Sequence, residues 1–311
     1  MNINVCLVIV AVTAWSLSVC AHAQSIVNPD KVSSRQSLLD RFDPWEDPSG
    51  SSHAPQSPGD SDLGEQLLLM PQSVYEPLSL RLSQRGTWTS NAALTEDDEL
   101  DDFFSHTEVG AAFVPSLFGN TFAEIGADYG IYRYAEHSLL DFDSLEARAG
   151  IIQALPGLGS SSVWLRYNHL RLLSGRGHDE IFTDHSIEAG LYFPIPLAAR
   201  QSAFLSYASE FSIDGNPGYA RRHEHRLMTG YKIEPTDRME VAAYYEFAVL
   251  DYIEAGRMDL LHTAGLSWTT HLTQGIDLIL AGSYSINDSD MVGADYEVGD
   301  IGTSLSIKVQ F

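Results

Sequence analysis

A chain of 311 residues has room for one large domain or two ordinary ones. Its formal net charge of −24 and pI near 4.6 exclude nucleic acid as a partner, because such a surface repels a polyanion. A charged fraction of only 19% excludes a uniformly charged disordered chain, and a mean hydropathy of −0.10 excludes a bundle of transmembrane helices.

The first element in chain order is a targeting segment. Val5 to Val19 form an apolar run that ends in Cys20-Ala21-His22-Ala23, and Ala21-His22-Ala23 is an A-x-A cleavage site. No Lys or Arg precedes the run, and the run is short for a spanning helix. The reading is a signal peptide over 1–23, with Gln24 as the first mature residue. Both cysteines, Cys6 and Cys20, fall inside it, so the mature chain has no thiol for a disulfide or a thiolate metal site. The alternative is that Cys20 is a lipidated first residue.

Residues 24–76 are rich in Ser, Pro, Asp and Gly. Asp47 to Asp62 has no periodicity and cannot bury a core. Apolar patches at Leu38–Trp45 and Leu63–Met70 interrupt the segment. It reads as a periplasmic disordered tail or a partial plug.

From Pro77 onward the pattern changes. About 12 strand-like stretches follow, near 77–91, 102–114, 120–134, 141–154, 161–173, 181–193, 201–213, 220–233, 238–251, 257–270, 275–287 and 298–311. Nearly all are longer than the ordinary strand of roughly five or six residues and match a tilted membrane-spanning strand of about 9–11 residues with an overhang. Within them the parities differ sharply. Ala123, Ile125, Ala127, Tyr129 and Ile131 alternate with Glu124, Gly126, Asp128, Gly130 and Tyr132. Val241, Ala243, Tyr245, Phe247 and Val249 alternate with Ala242, Tyr244 and Glu246. Successive side chains of a strand point to opposite faces, so each stretch has one nearly charge-free face and one polar face.

A soluble sandwich shows the same alternation. Strand length, the secretory signal and the connections separate the two readings. Pro115–Asn120, Pro156–Ser161, Pro194–Arg200, Glu234–Arg238 and His271–Gly275 are short connections. They alternate with generally longer ones, such as Ala93–Asp102 and Asn287–Glu297. Short turns at one end and longer loops at the other are the habit of an outer-membrane barrel. Aromatic residues fall near the expected rims as a girdle: Phe113, Phe193, Tyr231, Trp268 and Phe311 toward the short turns, Trp88 and Tyr252 toward the loops.

The chain ends on Leu305, Ile307, Val309 and Phe311, alternating with Ser304, Ser306, Lys308 and Gln310. This terminal strand resembles the C-terminal assembly signal of Gram-negative outer-membrane β-barrel proteins, and the resemblance to that broad group covers about Pro77 to Phe311. It implies an all-β, antiparallel, up-and-down transmembrane barrel, porin-like, in the bacterial outer membrane. It also implies the barrel assembly machinery, outer-membrane lipid and lipopolysaccharide as partners. Relatives of this architecture include solute channels, a phospholipase and autotransporter translocators, so fold leaves function open.

With the apolar parity on lipid, the polar parity lines a lumen. Arg81, Arg85, Glu124, Asp128, Arg148, Arg166, Glu188, Glu210, Arg222, Glu224, Arg226, Glu246 and Lys308 are the predicted lumen residues, joined by Glu108, Glu146, Glu240 and Asp277. They read either as a narrow polar channel for small hydrophilic solutes or as ion pairs that hold a closed barrel rigid. Thr95–Asp102 holds six acids among eight residues. Glu96, Asp97 and Asp98 there, with Asp288 and Asp290 near the other end of the chain, are candidate Ca²⁺ or Mg²⁺ ligands, since hard cations take carboxylate oxygens. A hydrolase needs a nucleophile beside a base. His137-Ser138 and Asp184-His185-Ser186 offer the residue types, but neighbours along a strand face opposite ways. The expectation is therefore no enzyme and no cofactor: a passive pore first, a structural or adhesive surface barrel second, an outer-membrane hydrolase third.

Overall fold

The computed structural model describes residues 76–97 and 99–311. The predicted signal peptide with Cys20, residues 24–75 of the predicted tail, and Asp98 lie outside the described residues.

Thirteen strands are present among the described residues: β1 (Leu78–Thr89), β2 (Asp102–Phe113), β3 (Ser116–Phe118), β4 (Thr121–Tyr134), β5 (Phe142–Leu155), β6 (Ser161–Ser174), β7 (Glu180–Ala198), β8 (Gln201–Asn216), β9 (Arg222–Thr236), β10 (Met239–Tyr252), β11 (Arg257–Thr273), β12 (Ile276–Ser289) and β13 (Tyr296–Gln310). Twelve are long, and the three-residue β3 is an extra piece folded into the connection between β2 and β4. Each long strand pairs antiparallel with its neighbour in sequence, and β1 pairs with β13, so the sheet closes into a barrel. The seam runs from Ser79 opposite Gln310 to Thr89 opposite Asp300. Two backbone bonds extend it, Leu78 N to Phe311 O at 3.2 Å and Phe311 N to Leu78 O at 2.9 Å. Closure leaves the wall without a free edge, which a sheet in hydrocarbon requires.

Three connections at one end are two-residue turns, after β7, β9 and β11, and both chain ends of the barrel lie at that end. The opposite end carries the longer loops, headed by the one between β1 and β2. Expected connections are partly strand: β3 lies inside Pro115–Asn120, β9 and β11 each run three residues into Glu234–Arg238 and His271–Gly275, and the largest case is Pro194–Arg200. Pro194 to Ala198 continues β7, with Pro196 opposite Ser202. Beyond Tyr192 the partner β6 has ended, so β7 has one unpaired edge there, and prolines are tolerated on such an edge.

The outward parity is apolar from strand to strand. Leu82, Ile125, Leu165, Leu227, Leu266 and Leu280 are each 45% exposed or more, which no water-facing sheet would sustain at this frequency. Inward, three aromatics lie directly opposite glycines: Trp164 with Gly190, Phe204 with Gly230, Tyr244 with Gly265. A Cβ built on any of these glycines would fall 2.2 to 2.4 Å from the facing ring. The glycines thus make floor space for rings that lie flat along the wall, and the rings cover backbone that glycine leaves bare.

The aromatic girdle needs one correction. Phe113, Phe193, Tyr231, Trp268, Phe311 and Trp88 face outward and are 39–59% exposed. Tyr252 faces inward and is buried, because it shares the parity of Tyr244, Glu246 and Leu250 on β10. Its hydroxyl accepts from Arg222 at 2.9 Å, and the guanidinium of Arg257 lies 4.6 Å from its ring centroid. A hydrogen bond and a cation–π contact hold the ring on the inner face that its parity assigns.

Candidate functional site: the charged inner wall

All thirteen predicted lumen residues stand on the inward parity of their strands. The structure links most of them into a belt of alternating charge that follows the wall. Arg81 of β1 pairs with Glu108 of β2 and lies 3.4 Å from Asp128 of β4. Arg148 of β5 pairs with Asp128 and places Nε 3.0 Å from Glu124, on the same strand as Asp128. Arg166 of β6 stands 3.4 Å from Glu124 and 3.8 Å from Glu188 of β7. Glu188 also accepts the indole N–H of Trp164 at 2.6 Å.

The belt resumes on β8. Glu210 accepts the hydroxyl of Ser186 at 2.5 Å and lies 3.5 Å from Arg226 of β9. Arg226 holds Glu224 at 2.7 Å, and Glu224 reaches Arg222 at 3.4 Å. Glu246 of β10 lies in the field of Arg226. On the seam, Lys308 stands opposite Arg81, and Arg85 stands opposite Ser304. Burying such charges is tolerated only with partners, and the alternation of sign supplies them.

The belt is bounded by apolar collars on the same inner wall. Toward the loops, Phe104, Tyr132, Tyr134, Phe142, Leu172 and Phe182 form one cluster. His106 stacks on Tyr132 at 4.0 Å, and Tyr132 stacks on Phe142 at 4.2 Å. Toward the turns, Val114, Ile152, Trp164 and Ala208 form another.

Several wall residues were not among those predicted. Asp184, Lys232, Asp259 and Asp300 all face inward, and parity alone would have found them. Asp300 shares its row on β13 with Lys308, and Lys232 its row on β9 with Arg222. Asp102 shares the inward row of Glu108 on β2, but its contacts to the next loop carried no such signal. It is buried at the start of β2, where it accepts the amides of Phe103, Glu136 and His137 and the His137 ring at 3.0 Å, and so ties the β4–β5 loop to β2.

The two acidic loops adjoin at their bases, where Ser90 N donates to Gly299 O at 2.9 Å. Asn91, at the base of the first loop, donates to Glu297 O at 3.1 Å. Asp290 accepts the amide of Met258 at 2.9 Å, and Asp288 of β12 stands opposite Leu260 of β11. Glu96 and Asp97 are in a bend of the first loop. Among the described residues no three of His, Cys, Asp and Glu converge to hold a metal ion.

The two hydrolase-like groupings are taken up by other contacts. Asp184 and Ser186 face inward, bonded to Ser212 and Glu210, while His185 faces outward onto Tyr167. The barrel wall lies between them. Ser138 accepts from Arg176 at 2.6 Å while His137 is held by Asp102. The terminal residues Leu305, Ile307, Val309 and Phe311 all face outward, 36–59% exposed.

No family model matches the chain, and no curated protein matches it in sequence. Among solved structures, an outer membrane channel from Pseudomonas putida F1 is 8% identical with a TM-score of 0.54, covering 77% of this chain and all of that one (100%). The translocator domain of the autotransporter NalP from Neisseria meningitidis aligns at 13% identity and a TM-score of 0.42, covering 76% and 88%. The KdgM porin aligns at 8% and 0.40, covering 72% and 97%. The fold is the closed barrel of that outer membrane channel, and the apolar outer wall suits it to a bilayer.

Proposed function

We propose that this barrel is a passive pore of the bacterial outer membrane for small hydrophilic solutes, with the belt of inward charges setting size and charge preference. The carrying observation is the belt itself. Arg81, Asp128, Arg148, Glu124, Arg166 and Glu188 present charge to the interior of a closed barrel from strand after strand. A wall of this kind replaces part of a polar solute's hydration and discriminates by sign. Inward carboxylates outnumber inward guanidinium and ammonium groups, so cations and neutral solutes are favoured over anions.

The test is single-channel conductance of the refolded mature chain in a planar bilayer, with reversal potentials in a salt gradient. Discrete steps with a cation preference that grows when Arg222 and Arg226 are neutralised support the pore. A folded, inserted barrel that never conducts refutes it. That outcome favours the second reading, a structural or adhesive barrel held rigid by its own ion pairs, which the 1% exposure of Glu124 and Glu188 supports. In either case the outward terminal residues suit recognition by the barrel assembly machinery, and the outer wall takes lipid and lipopolysaccharide as neighbours.

A further inference from the structure

The outer wall repeats one contact around most of its circumference. In five successive hairpins, an outward tyrosine on the first strand bonds a polar side chain on the second, one diagonal step toward the long loops. Tyr129 reaches Asp143 at 2.9 Å, Tyr167 reaches His185 at 2.5 Å, Tyr207 reaches His225 at 3.0 Å, Tyr245 reaches His262 at 2.7 Å, and Tyr284 reaches Glu297. Diagonal neighbours of an antiparallel pair are within reach of aromatic side chains, which explains the geometry but not its recurrence. In the sixth hairpin Thr107 donates to Gln84 at 2.5 Å. The acceptors stand on every second strand, roughly 10 Å apart for strands spaced about 4.8 Å.

The three central acceptors are histidines, and in each the tyrosine hydroxyl meets Nδ1. A phenol that donates to Nδ1 leaves the imidazole's proton on Nε2, and at His225 the Ser209 hydroxyl shares Nδ1 with Tyr207, at 2.9 Å. Among the described residues no hydrogen bond engages Nε2 of His185, His225 or His262. On the turn side of this row the wall is apolar: Ile187, Leu227 and Leu266 are 42–58% exposed. On the loop side three to five residues of each histidine's strand remain, and Phe211, Ile213 and Met258 there are still 45–54% exposed. The row therefore lies close to the loop-side edge of the apolar wall, which meets outer-leaflet headgroups when short turns are periplasmic. Arg171, 46% exposed on the outward row of His169, is ion-paired with Glu180 at 2.8 Å, and His185 packs on His169 at 4.5 Å. Asp214, opposite His185, turns its carboxylate to the amide of Gly215.

We propose that His185, His225 and His262 form a row of Nε2–H donors that binds phosphate oxygens of outer-leaflet lipid headgroups, each donor oriented by its tyrosine. Hydrogen bonds to a charged acceptor are the strong ones, and a partly dehydrated interface strengthens them. The proposal rests on the outer-membrane placement and not on conductance, so a closed lumen leaves it standing.

The test is native mass spectrometry of the folded barrel with lipid A or its dephosphorylated form, fold being checked by heat-modifiable mobility. The wild type is expected to retain lipid A several-fold more than the dephosphorylated lipid. The triple variant His185→Phe, His225→Phe, His262→Phe is expected to retain both alike. Single His225→Phe and His225→Gln variants cover failure of the triple to fold: Gln keeps an N–H donor and should retain lipid A better than Phe. Equal retention of the two lipids by the wild type, or undiminished phosphate preference in the phenylalanine variants, overturns the proposal. Displacement of lipid A by millimolar inorganic phosphate would make this a free-anion site and overturn the lipid assignment.

Discussion

Arg226 Nε lies 2.7 Å from Glu224 Oε1, two residues back along the same inward row of β9. The same guanidinium reaches across to Glu210 of β8 at 3.5 Å. One cation thus serves two carboxylates from two strands, with a third, Glu246, in its field. Replacing it with glutamine unbalances that part of the wall. Two unit charges about 4 Å apart interact by about 1 kcal/mol in water and more in a narrower, drier space. The expected result for Arg226→Gln is a cation-to-anion permeability ratio raised a few-fold, read from reversal potentials. An unchanged ratio in a conducting channel would put the permeation path away from β8 and β9.

Arg148 tests the other arm of the belt. It joins Glu124 to Asp128 on the neighbouring strand, and the Glu124 carboxylate is fully buried. Removing one partner of a buried network leaves uncompensated charge, at a cost of about 3–5 kcal/mol. Arg148→Met should lower the urea midpoint of the refolded barrel in vesicles. Adding Glu124→Gln and Asp128→Asn should restore most of it. If the triple variant is no more stable than the single one, the loss comes from packing, not charge.

Much of this wall could be read from sequence because strand periodicity is two and a barrel has only two faces. Placing Ile125 on lipid placed Glu124 and Asp128 inside without further information. The partners were not legible. Arg148 meets Glu124 and Asp128 only through the register of β4 and β5, which turn geometry fixes. Tyr252 was misplaced because an aromatic near a rim suits a girdle in composition, whereas its parity with Glu246 and Leu250 decides its face. The outer tyrosine row escaped notice for the opposite reason. Each tyrosine and its acceptor are 13 to 18 positions apart, and only the pairing of strands brings them together.

Gly190 offers a probe of the lower collar. A methyl group there would sit 2.2 Å from Trp164 Cζ2, so the indole must move. Moving it breaks the 2.6 Å bond from its N–H to Glu188. Gly190→Ala should destabilise the barrel by about 1–3 kcal/mol, as overpacking does. Trp164 emission should shift to the red as the ring meets a wetter environment, read as the difference from a Trp164→Phe control. A variant with unchanged emission and stability would show that the flat ring is not held by the glycine.

The outer wall yields the sharpest contrast between a membrane barrel and a soluble one. Leu266 lies near the middle of β11, faces outward and is 58% exposed, beside Ala243 on β10 and Gly282 on β12. In water, Leu266→Arg would swap an exposed apolar side chain for a solvated one at little cost and with a gain in solubility. In a bilayer the same change sets a guanidinium near the hydrocarbon midplane, where it costs about 2–4 kcal/mol. The adjacent Ser267 faces the lumen, so Ser267→Arg is the control for the bulk and charge of the new side chain. The expected outcome is a folding deficit in lipid vesicles for Leu266→Arg that Ser267→Arg does not share. A Leu266→Arg chain that stays dispersed without detergent and keeps its β-sheet signal would assign the apolar face to water and remove the membrane from the argument.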